Sequence, residues 1–256
     1  MKYLIIPFLI FTLNACSQEY GEGYSFKLFE NIANRKLVDA IKNEDTSAIN
    51  DVLKNEKAFN INLQEKKYGQ TLLSLAVGND KPASVLALLQ NGANPNICDS
   101  FGLTSLGSIS DIVNDRNKSF EIIRALLKFD ANPNLQQCNS LNNQQRKYVP
   151  LMGAFINFNC SKLLIDKGAD CNFKDSTSYP VWLSILSIDG KISESIFVAE
   201  YLICDKKVTI PKIIGYSKPN KNPLFFDKFL LMYDVGNDSK KMAAKKRIMK
   251  YLNVNP

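Results

Sequence analysis

The phrase Tyr68-Gly69-Gln70-Thr71-Leu72-Leu73-Ser74-Leu75-Ala76 is echoed at Phe101-Gly102-Leu103-Thr104-Ser105-Leu106, with Gly69 to Gly102, Thr71 to Thr104 and Leu73 to Leu106 each 33 positions apart. A fixed period of that length marks one supersecondary unit repeated along the chain. Within the unit, Thr71 is placed to cap a helix whose apolar run is Leu72, Leu73, Leu75 and Ala76. Val85, Leu86, Leu88 and Leu89 form the facing stripe of a second helix. Gly92 falls where that helix must end in a positive φ. One helix pair cannot bury its own apolar face, so it stacks on a neighbour and the chain becomes a solenoid.

Further copies follow from the closing phrase. Leu88-Leu89 leads to Gly92-Ala93-Asn94-Pro95-Asn96, Leu126-Leu127 to Asp130-Ala131-Asn132-Pro133-Asn134, and Leu164-Ile165 to Gly168-Ala169-Asp170-Cys171-Asn172; Asp130 stands where glycine is usual. Val149–Ala154 opens another unit, Leu37–Asp45 with Ile49, Val52, Leu53 and Asn62 reads as a degenerate first one, and Tyr179-Pro180-Val181 with Val198, Tyr201 and Leu202 reads as a later one. Asn222-Pro223-Leu224 and a helix near 239–252 read as a cap whose packed face is Ala244, Ile248, Tyr251 and Leu252.

These residues resemble the ankyrin repeat family, whose helices open on T-P-L-H-x-A. Leu72 and Ser105 replace the proline, and Ser74, Gly107, Met152 and Trp182 take the histidine position, since the chain has no histidine. The resemblance implies an all-α ankyrin-repeat solenoid with finger-like loops, about five to six units including degenerate terminal caps, over residues 31–256.

The N-terminus has a different character. Met1-Lys2 precedes an apolar stretch, Tyr3–Leu13, and then Asn14, Ala15 and Cys16. A charged start, a short apolar core and a small residue before cleavage describe a secretory signal, too short to span a bilayer. Leu13-Asn14-Ala15-Cys16 also resembles a bacterial lipobox, which implies loss of 1–15 as signal peptide and lipidation of Cys16. Residues 16–30 would then be the lipidated cysteine and a polar tether. Soluble export is the alternative, as Asn14 is unusual in a lipobox. By the same resemblance the protein is a periplasm-facing lipoprotein of the bacterial cell envelope, and Ser17 points to the outer membrane. Without Cys16, five cysteines remain: Cys98, Cys138, Cys160, Cys171 and Cys204. At most two pairs can form. No C-x-x-C spacing exists, so no metal site is expected. Equivalent positions on successive fingers are expected to lie too far apart for a bridge.

Function is narrowed first by what is missing. Without histidine there is no Ser-His-Asp or Cys-His pair, and no glycine cluster suits a phosphate, so no catalysis, cofactor or small-molecule substrate is expected. A net charge of +7 is modest, and nucleic acid is not an expected partner of an exported chain. What the resemblance implies is protein binding through the finger tips and concave face. By it, the residues flanking each motif glycine point outward: Lys67, Tyr68, Gln70, Phe101, Leu103, Lys147 and Tyr148. Their aromatic rings are suited to anchor an interface, or alternatively pack on the adjacent finger. Extra residues at 111–119 and 135–148 add loop surface. The leading expectation is a membrane-anchored scaffold for another protein, with an immunity-type inhibitor of a secreted effector as a special case. The other is a structural envelope lipoprotein that self-assembles or contacts the cell wall.

Overall fold

The computed structural model describes residues 24–30, 33–109, 116–135, 138, 149–152, 157–173, 194–210, 213–216 and 223–254. Among them, α1 (Arg35–Asn43) pairs with α2 (Thr46–Asn55), α3 (Leu72–Gly78) with α4 (Pro82–Gln90), α5 (Ser105–Ile109) with α6 (Arg116–Lys128), and a 3-10 turn (Pro150–Met152) with α7 (Phe158–Asp166). α8 (Ser195–Glu200) continues into a π turn, Tyr201–Asp205, and α9 (Phe226–Met232) with α10 (Ser239–Tyr251) closes the described chain. The first helices pack in one row, α1 on α3, α3 on α5, and α5 on the 3-10 turn. The second helices pack in another, α2 on α4, then α6, α7, α8 and α10. This is a helical solenoid of the ankyrin type, with one core cluster running from Phe29 to Ile248.

Position in the stack explains the composition of each helix. α1 ends the row of first helices and packs on α2, α3, α4 and the turn Phe26–Phe29, so Leu37, Val38, Ala40 and Ile41 are buried while Arg35, Lys36, Asp39 and Lys42 meet water. α3 is packed from several sides, and every side chain from Leu72 to Val77 is buried. Its start also accounts for the missing histidine. The Thr71 hydroxyl accepts from the Ser74 backbone N–H at 3.1 Å, and the Ser74 hydroxyl accepts from the Thr71 N–H at 2.7 Å. Serine thus completes a capping box in the histidine's place.

Three second helices end alike. The N–H of Ala93, Ala131 and Ala169 donates to Leu88, Leu126 and Leu164 carbonyls at 3.0, 3.0 and 2.9 Å. The residue before each alanine, Gly92, Asp130 or Gly168, has φ of 90, 62 or 88°. Asp130 therefore occupies a conformation that costs an L side chain something and glycine nothing.

Asparagines stitch one closing turn to the next. Asn62 accepts from the Asn94 N–H at 2.7 Å. Asn96 donates to the Asp130 carbonyl and accepts from the Asn132 N–H, and Asn134 does the same to Gly168 and Asp170. Buried serines recur in the second-helix row at Ser84, Ser119, Ser161 and Ser195. Ser84 donates to the Ile41 carbonyl at 2.8 Å and Ser195 shares a hydrogen bond with the Tyr233 hydroxyl at 2.6 Å, so polar contacts also cross between units inside the core.

Two expectations shift. Packing begins at Tyr24 rather than 31: the Tyr24 ring lies against Gly78, its carbonyl accepts from the Asn79 side chain at 2.8 Å, and Phe29 of the turn Phe26–Phe29 is fully buried. The cause is aromatic content, since Tyr24 and Phe29 have apolar area to bury that a solvated tether lacks. Near the C-terminus, a short antiparallel hairpin, β1 (Ile213–Tyr216) with β2 (Pro223–Phe225), leads directly into α9. The signal and Cys16, the insertions at 111–115 and 139–148, and the opening near Tyr179–Val181 lie outside the described residues.

Candidate protein-binding face

Two successive fingers are each built around a buried carboxylate. The Glu65 side chain accepts from the backbone N–H of Lys67, Tyr68 and Gln70 at 2.7, 2.6 and 3.1 Å, and the turn is closed by Glu65 N–H to the Gln70 carbonyl at 2.9 Å. One unit on, Asp99 accepts from Phe101 and Leu103, both at 2.9 Å, and its N–H donates to the Leu103 carbonyl at 2.9 Å. Burial pushes the Asp99 carboxyl above its usual range, while the backbone donors and Gln70 pull the other way.

The fingers are linked edge to edge. Ser100 N–H donates to the Tyr68 carbonyl at 2.8 Å, and Cys138 N–H donates to the Gly102 carbonyl at 2.9 Å. Gly69 sits at the closest approach, with φ of 67°, and a Cβ there would stand 2.9 Å from the Ser100 hydroxyl. No other residue suits both constraints.

The geometry corrects the expected orientation of several side chains. Tyr68 is only 7% exposed and Gln70 only 1%. Tyr68 stacks on Phe101, ring centroids 6.1 Å apart and planes 19° from parallel, and the Gln70 amide donates to Asp99 at 3.1 Å. Both are turned sideways into the next finger, because its apolar and acceptor groups lie within reach and open solvent offers less. Lys67 is exposed, with its ammonium 4.7 Å from the Tyr68 ring, and Phe101 and Leu103 are half-buried. Lys147 and Tyr148 lie outside the described residues. The reachable edge is therefore Lys67, with its exposed neighbours Gln64 and Lys66, followed by the half-buried Phe101 and Leu103.

A disulfide joins Cys98 to Cys138, Cα atoms 6.1 Å apart over a sequence separation of 40. The expected separation concerned equivalent positions on successive fingers, and these two cysteines are not equivalent. Cys138 lies on the following finger, beside Gly102, where edge pairing brings backbones to strand-like distance. Cys160 and Cys171 are buried thiols pushed up to about 11 by burial, which leaves them unreactive.

Another cluster has no precursor in the sequence reading. Asp166 accepts from Lys162, Lys206 and the Tyr201 hydroxyl, and the two ammonium groups lie 5.0 and 5.3 Å from the Tyr201 ring. These donors hold the Asp166 carboxyl well below the usual carboxylate range. The residues come together because α7 packs on α8, a long-range contact that spacing alone does not signal. A shallow groove of about 460 Å³ also opens between α4 and α6, lined by Pro82, Ala83, Leu86, Arg124, Ala125 and Lys128 among others. Among the described residues no cluster of His, Cys, Asp or Glu is arranged to hold a metal.

Residues 68–100 match the family model of the ankyrin repeat. With the stacked helix pairs described above, the match gives the chain the fold of an ankyrin-repeat solenoid. The matched stretch runs from the first finger's Tyr68 through α3 and α4 to Ser100 of the next finger, so it takes in the capping box, the Gly92 terminus and the edge-to-edge rung just described. No curated protein matches the chain. Ankyrin repeats typically mediate binding to another protein.

Proposed function

We propose that the chain is a scaffold that is held to a membrane by lipid on Cys16 and captures one other protein along its finger edge. The observation that carries this is the rigidity of that edge: carboxylate-centred turns, rungs between fingers, the Tyr68–Phe101 stack and a covalent bridge all fix its shape before any partner arrives. A preformed surface loses little conformational freedom on docking. The bridge supports export to an oxidising compartment, where disulfides persist. It fits the lipobox-like reading of Leu13–Cys16 and the periplasm-facing, outer-membrane location. The special case of an inhibitor that sequesters a secreted effector fits the same rigid surface. The chain acts by binding and not by catalysis.

The test uses the full chain expressed in bacteria. Incorporation of labelled palmitate that is lost in Cys16→Ser supports the anchor; equal labelling of both refutes it. For the binding edge, Lys67→Glu with Phe101→Ala is compared with the native chain in capture from the envelope fraction, beside thermal unfolding of both. One protein retained by the native chain and lost by a variant of near-native stability supports the reading. Recovery of the chain alone, with concentration-dependent self-association, moves the interpretation to a structural envelope lipoprotein.

A further inference from the structure

The cap formed by α9 and α10 has a surface that its capping role does not require. Leu231, Met232, Met242 and Tyr251 stand exposed there, Met232 by 56% and Tyr251 by 47%; among the described residues, Leu86 alone of the large apolar side chains elsewhere is comparably open. Tyr251 was expected on the packed face with Ala244 and Ile248, yet only the latter two are buried. On α10, Met242 is followed at i+4 and i+8 by Lys246 and Lys250, so the three share one stripe of the helix. Both lysines are exposed. α10 holds six cations and no carboxylate, which accounts for most of the net charge of +7. The acidic groups near the cap are fewer: Asp238 at the start of α10, held by the Lys240 and Lys241 backbone N–H groups, Asp234 facing Lys245, and Asp227 on α9. Arg247 is already paired with Glu200 and Asp205, and Lys245 donates to the Leu231 and Tyr233 carbonyls.

A cap that only keeps the end of a solenoid in water needs a polar outer face. Thioethers beside exposed lysines suit an anionic lipid surface better; Tyr251, nine residues after Met242, lies on the opposite side of α10 and takes no part. The methionines can enter the acyl boundary, and the lysine stems can lie along apolar surface with their ammonium groups at phosphates. An acidic protein would meet the same charge, but it would favour apolar side chains gathered in one pocket over tips scattered among lysines. We propose that the α9–α10 cap docks on the anionic surface of a lipid bilayer. The proposal rests on the anchored reading only for which membrane it meets. With anchor and cap both engaged, the solenoid lies along the bilayer.

The experiment is acetylation of the full chain, reconstituted on vesicles of phosphatidylcholine alone or with phosphatidylglycerol added, with each lysine's rate read by mass spectrometry. Each lysine near an anionic surface gains roughly a fivefold preference for it. Lys246 and Lys250 are therefore expected to be modified about fivefold more slowly on the anionic vesicles, with Lys54 and Lys66 of the early units unchanged and the protection lost at high salt. Equal rates on both vesicles overturn the proposal, as does protection by added polyglutamate without protection by anionic vesicles. Flotation with phosphatidylcholine vesicles, compared between native chain and Cys16→Ser, reads the anchor separately.

Discussion

Asn96 makes two hydrogen bonds from one unit into the next, donating to the Asp130 carbonyl at 2.9 Å and accepting from the Asn132 N–H at 2.8 Å. Asn96→Ala deletes both without touching the core. Each is worth about 1 kcal/mol net, and because the site is exposed, water takes over the two abandoned backbone groups, so no buried-group penalty is added. The expected loss is about 1–2 kcal/mol. Asn134→Ala, which removes bonds to Gly168 and Asp170, should cost the same. These are interface terms in a stack where stability is the sum of unit and interface contributions. The double variant should therefore weaken coupling between units, lowering the urea m-value as the two ends begin to unfold separately. Asn94→Ala is the control. Among the described residues the Asn94 side chain accepts only from the Asn96 N–H within its own turn, at 2.9 Å, so its loss should be smaller and leave the m-value unchanged. Urea titration followed by circular dichroism measures all four. A loss at Asn94 equal to that at Asn96, or an unchanged m-value in the double variant, would refute the idea that these side chains couple the units.

The Cys98–Cys138 bridge closes a separation of 40 residues, and Cys138→Ser should cost about 4 kcal/mol by the loop-entropy relation, with reduction of the native chain giving the same fall in urea midpoint. Asp130→Gly relieves an αL aspartate at φ 62° and should raise stability by up to about 1 kcal/mol, read as a higher midpoint at unchanged m-value. Asp99 gives a pH signature: its folded carboxyl titrates above the unfolded one, so the stability it contributes is full below the usual carboxylate range and is lost as pH rises through the raised value. Asp99→Asn keeps an acceptor for Phe101 and Leu103 and, with the Gln70 amide turned over, exchanges the present Gln70 Nε2 bond for one from the new amide to Oε1, with no buried charge left. The variant should be more stable than native at neutral pH, by about 1 kcal/mol, with the advantage shrinking toward acid; denaturation midpoints across that range check it.

The features legible in the sequence are those decided within one unit. A threonine before an apolar run, a glycine or aspartate after a leucine pair, and a following alanine each act over three to six residues, and all three closing turns stand where the pattern placed them. The finger side chains are different, because their direction is set by the neighbouring unit. Tyr68 and Gln70 flank a motif glycine and would face water on an isolated finger, but Phe101 and Asp99, roughly thirty residues away in sequence, offer a ring and an acceptor. The disulfide and the serine column escaped the reading for the same reason: each depends on how units stack. This bears on the binding edge proposed above. With Tyr68 and Gln70 committed to the stack, the proposed contact falls to Lys67, Phe101 and Leu103, whose relative positions are held by buried groups. Gln70→Ala should therefore weaken capture even though Gln70 is 1% exposed, because it frees Asp99 from its side-chain donor and lets the Phe101 finger shift against its neighbour. The partner's dissociation should speed up more than its association slows, as expected when a preorganised surface is loosened and long-range attraction is unchanged. Equal capture kinetics for Gln70→Ala and the native chain would mean that the fingers act independently and that the stack contributes stability alone.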